Sequence, residues 1–158
     1  MRRRCGQSIL YVILLMPAML VILSLTVDIG QLQFQRLRLR NALDLATLSG
    51  AASVDRSYYA ETGRLRLDPG VAIVTTRSYL QRNLVEALGE QQATYVADAA
   101  QISIVNVTPG IDPFSGMRLD RPSIAARIRV PYRLSLIGFI GGLGRGSISL
   151  ASTAQIRS

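Results

Sequence analysis

ILYVILLMPAMLVILSLTV, residues 9–27, is a run without a single charge. Wound as an α-helix it spans about 28 Å, roughly the hydrocarbon thickness of a bilayer. A cleaved secretory signal has a shorter apolar region, about 7–15 residues, with a small-residue cleavage pattern behind it. Here the run is longer and passes directly into Val27-Asp28-Ile29-Gly30. The expectation is a retained transmembrane helix over 9–27. Pro17 would break a soluble helix but is tolerated in a membrane span. Arg2, Arg3 and Arg4 stand just before the run, whereas Arg36 is the first positive charge after it. The positive-inside rule then keeps residues 1–8 in the cytoplasm as a basic leader and sends the remainder out.

Helical character continues past the span. Residues 31–54 contain no Pro, and no Gly before Gly50. On a helical wheel Ile29, Leu32, Leu39, Leu43, Ala46 and Val54 share one side, and Phe34, Leu37, Leu45, Leu48 and Ala52 share the other. Arg36, Arg38, Arg40, Asp44 and Asp55 fall mostly between. One apolar stripe packs a helix on its own domain, and a second stripe calls for a second partner. Leu37, Leu45 and Leu48 are therefore the candidate partner face. The alternative is that the small C-terminal domain covers both stripes. The segments expected are a transmembrane helix at 9–27, its continuation outside the membrane at 28–56, and a small extracytoplasmic α+β domain at 57–158.

Within that domain, 55–70 reads as a polar connection. Asp68-Pro69 is an N-cap followed by Pro at the first helical position, and the second helix runs to about Leu88 with Gly89 as its C-cap. The period then changes from 3.6 to 2. Three runs alternate as strands: 101–107, 124–133 and 147–157. Their pattern predicts a small antiparallel sheet with one wet face, packed on the helices because three strands cannot hide a core alone. The fold class is α+β. Segment 134–146 is apolar and Gly-rich but lacks the Lys and the strand-to-helix context of a phosphate loop. Asn106-Val107-Thr108 matches a glycosylation acceptor, a pattern short enough to arise by chance.

Composition narrows function. All 18 basic residues are Arg, set against 10 acids, for a net charge of +8, and there is no His, no Lys and one Cys. His-based catalysis and His-containing metal sites are excluded, as are an intramolecular disulfide and a Cys-rich zinc site. No basic run follows Arg4, and the few aromatics are not interleaved with arginine, which argues against nucleic acid as a partner. No nucleophile, base and acid can be assembled into a set. The expectation is a non-enzymatic protein without cofactor or metal.

Four features in order resemble the TadE/TadG-like proteins of tight-adherence (Flp) pilus assembly systems. They are a basic start into Gly6-Gln7-Ser8; an apolar helix containing Leu14-Leu15-Met16-Pro17; Val27-Asp28-Ile29-Gly30 at its end; and a stretch from Leu39 to Ala52 that includes Asn41-Ala42-Leu43-Asp44 and Ser49-Gly50-Ala51. Pro17, Asp28, Gly30, Asn41 and Asp44 are the positions that carry the motif. The resemblance implies a pseudopilin-like component of the bacterial inner membrane, a minor subunit of a Tad-type machine with its C-terminal domain in the periplasm. It implies other pilus-assembly or pseudopilin subunits as partners, and a prepilin peptidase acting between Gly6 and Gln7. Pilins and TadE-type relatives carry Glu five residues after that glycine. Tyr11 stands there in this chain, which brings it nearer the TadG-like branch. The alternative is a generic single-pass anchored subunit of another bacterial envelope complex.

Orientation is directly measurable. A reporter active only outside the cytoplasm, fused after Ser158, is expected to be active. A silent fusion, with a cytoplasmic reporter active in its place, contradicts the charge argument.

Overall fold

The computed structural model of the protein describes residues 5–133 and 145–156. Arg2 to Arg4 and the Gly-rich segment 134–144 lie outside the described residues. Helices α1 (Cys5–Ala51), α2 (Arg56–Thr62), α3 (Pro69–Leu88) and α4 (Glu90–Asp98) precede strands β1 (Gln101–Val105), β2 (Gly110–Ile111), β3 (Arg118–Leu119), β4 (Ser123–Arg133) and β5 (Arg145–Gln155). The sheet order is β1-β4-β5, and β2 pairs with β3 in a separate ribbon. The architecture is α+β, as expected. The chain divides into two compact units, Met1–Phe34 with Tyr132–Gly146, and Gln35–Pro131 with Ser147–Ser158.

In the first unit α1 is apolar on every side. Its large apolar side chains from Tyr11 to Val27 are 41–70% exposed. A core helix of this composition would be buried. Among the described residues, α1 is the one helix long and apolar enough to cross a membrane. The Thr26 hydroxyl donates to the Ile22 carbonyl at 2.9 Å. That bond inside the helix is what a lipid-facing hydroxyl requires, since no water is there to satisfy it. The helix runs through Pro17.

In the second unit the stretch of α1 from Gln35 onward has a buried side. Leu39, Leu43 and Ala46 are 2%, 0% and 0% exposed. Gly50 is the point of closest approach: a β-carbon there would collide with Thr76 Oγ1 of α3 and press on Ile124 Cδ1 of β4. Thr47 Oγ1 donates to the Asp44 carbonyl at 2.9 Å and lies 3.1 Å from Ser152 Oγ on β5. Ala51, Leu67, Ala72, Ile124, Ala154 and Ile156 form the core beneath. Helix α3 begins where Asp68 Oδ1 accepts the N–H groups of Gly70 and Val71, with Pro69 at its first position, and ends at Gly89 with φ 80°. Strands β1 and β4 are antiparallel, with Gln101 opposite Arg127 and Val105 opposite Ser123.

Three features depart from the sequence pattern. Helix α1 ends at Ala51, not near residue 56. Val54 forms a bridge with Leu67 instead, while Asp55 N–H donates to the Arg66 carbonyl and Asp68 N–H to the Ser53 carbonyl. The intervening segment is not simply a polar connection. Asp55 caps the short helix α2 by accepting from Tyr58 N–H, and Gly63 closes it in the left-handed region at φ 66°. Second, α4 follows α3 after Gly89 alone and packs back on it, with Gln81 Nε2 donating to Thr94 Oγ1 at 3.0 Å. Third, the outer face of the sheet is partly covered. Ala125 is fully buried there, and Arg127 lies over the Phe114 ring at 4.9 Å while donating to the Phe114 carbonyl. The glycosylation-like Asn106 ties two distant segments together. Its side-chain amide accepts from Leu67 N–H at 2.9 Å and donates to the Leu67 carbonyl at 3.0 Å.

Asp112 holds the covering loop in place. It is 2% exposed. Its carboxylate accepts from Phe114 N–H at 2.8 Å, from Ser115 Oγ at 2.6 Å and from Thr153 Oγ1 of β5. Burial pushes its pKa up, but the Ser115, Thr153 and backbone hydrogen bonds outweigh that and hold the carboxyl below its ordinary value. A depressed carboxylate stabilises the fold above its unfolded pKa, and that contribution is lost as pH falls through the folded value. Asp112→Ala is expected to lower the unfolding free energy at pH 7 by about 1–3 kcal/mol, the cost of orphaned donors. The gap from wild type should begin to narrow as pH falls below about 4, the ordinary carboxylate value, and go on narrowing until the native carboxyl protonates at its lower value. Urea unfolding of the full chain in detergent across pH 3–7 measures it. A gap independent of pH would show that the charge is immaterial.

Candidate functional site

Among the described residues, no group of three or more His, Cys, Asp or Glu side chains is placed to hold a metal ion. The candidate site is the outward side of α1 in the second unit, and the buried side of the same helix determines where it lies. At about 100° per residue, Leu39, Leu43, Ala46 and Gly50 occupy a sector of about 60°. Leu37, Asn41, Leu45 and Leu48 occupy a sector of about 80° diametrically opposite. Packing of the first set on α3 and the sheet leaves the second in water. Leu37 is 59% exposed, Leu45 55% and Leu48 52%.

Asn41 is exposed in the middle of this stripe. Arg38 flanks it on one side, Arg40 and Asp44 on the other. Arg40 Nε lies 3.9 Å from Asp44 Oδ2, an i, i+4 pair with both side chains substantially exposed. Such a pair contributes about 0.3–0.5 kcal/mol. Its weight is in setting the charge beside the leucines, not in holding the helix.

The remaining motif positions, Pro17, Asp28 and Gly30, belong to the first unit. Gly6 and Gln7 lie in the first turns of α1. Pro17 is exposed within the apolar stretch. Asp28 is buried at 4%. Gly30 is exposed, and an added β-carbon there meets nothing within 4 Å, so its lack of a side chain is not explained by packing within this chain.

The sequence pattern does not reveal Asp112, Asn106 or the Arg127–Phe114 contact. Asp112-Pro113 signals a turn, and Ser115 and Gly116 three and four residues on are the available hint that Asp112 organises it. Nothing local points to Thr153 or Leu67 as distant partners.

Residues 6–53 match the Tad family model, which describes TadE/G-like proteins of Flp pilus assembly. The match covers less than a third of the chain and coincides almost end to end with α1. Both faces of the α1 segment in the second unit fall within it, as does the apolar stretch. Among the described residues, helices α2 to α4 and strands β1 to β5 lie beyond it. Neither a curated protein nor a solved structure matches the chain.

Proposed function

We propose that this chain is a membrane-anchored, non-catalytic component of a Tad-type (Flp) pilus assembly machine, a minor pseudopilin-like subunit serving adherence. The observation that carries the reading is the family match over residues 6–53. Two physical facts support it. The matched helix contains an apolar stretch long enough to cross a bilayer. It also presents one apolar face to its own domain and a second to solvent.

The anchor sits in the bacterial inner membrane with Arg2 to Arg4 cytoplasmic and the α+β domain in the periplasm. The subunit acts by docking other pilus-assembly subunits through Leu37, Leu45 and Leu48. A prepilin peptidase cuts between Gly6 and Gln7. Support for docking is energetic: leaving three leucines half exposed in water forgoes about 25 cal/mol for each Å² that a partner would cover.

The two faces of α1 are expected to fail differently. Leu43→Ala empties a fully buried site and should cost about 2–5 kcal/mol, lowering the level of the protein itself. Leu45→Asp places a carboxylate where water already is, so the protein persists in the membrane. On docking it would bury an unpaired charge, and assembly stops. Protein level by blot, surface pili by microscopy and the mature N-terminus by mass spectrometry are read from the same membranes. Pili lost with Leu45→Asp protein at wild-type level supports the proposal. Normal pili, or disappearance of the protein, overturns the partner face. An uncut Met1 beside an active peptidase overturns processing.

A further inference from the structure

We draw no further inference here: the strongest candidate, the open edge of strand β5, which among the described residues has β4 as its one strand neighbour and over 146–156 contains neither a charge nor a proline to discourage a further strand, carries nothing because no feature of the structure shows what covers it.

Discussion

A β-carbon on Gly50 would collide with Thr76 Oγ1, so α1 approaches α3 and β4 closely enough at that point to exclude any side chain. The contact fixes how the end of the long helix is rotated. With Gly50 against α3, Leu39, Leu43 and Ala46 are turned into the core, and Leu37, Asn41, Leu45 and Leu48 are turned out. A rotation of the helix by half a turn would bury the amide of Asn41 and expose the leucines that fill the core. The orientation of the candidate site thus follows from a steric limit on the opposite side of the same helix.

Much of this arrangement can be read from local pattern. The division of α1 into two faces follows from the 3.6-residue period, because the apolar positions on each side are large and regularly spaced. The start of α3 is legible because Asp68 and Pro69 act within three residues of one another. Helix α4 is hidden, since Gly89 both ends α3 and begins α4 with no side-chain cap to announce it. The end of α1 is misjudged for a related reason: Val54 and Asp55 suit a helix by polarity, and what draws them away is backbone pairing with Leu67 and Arg66. The hydrogen bonds of Asp112 to Thr153 and of Asn106 to Leu67 join residues 41 and 39 apart in the chain. No periodicity encodes such pairs. They also explain why a sheet with alternating polarity is not wet along the whole of its outer face.

The candidate site is legible to the same extent and for the same reason. Exposure of Leu37, Leu45 and Leu48 is a consequence of helical geometry, so periodicity alone is enough to locate the stripe.

The central claim is that the two faces of α1 are divided between self and partner, and accessibility at Leu45 in the working assembly tests it most directly. In a Cys5→Ser background, Leu45→Cys and, as an exposed control on α3, Val74→Cys are labelled with a membrane-impermeant maleimide. Labelling is compared between the purified protein and pilus-forming cells opened to the periplasm. The account predicts rapid labelling of both positions in the purified protein and strong protection of position 45 alone in the cells. Equal labelling of position 45 in both states would contradict it, because a face that stays in water during assembly has no partner.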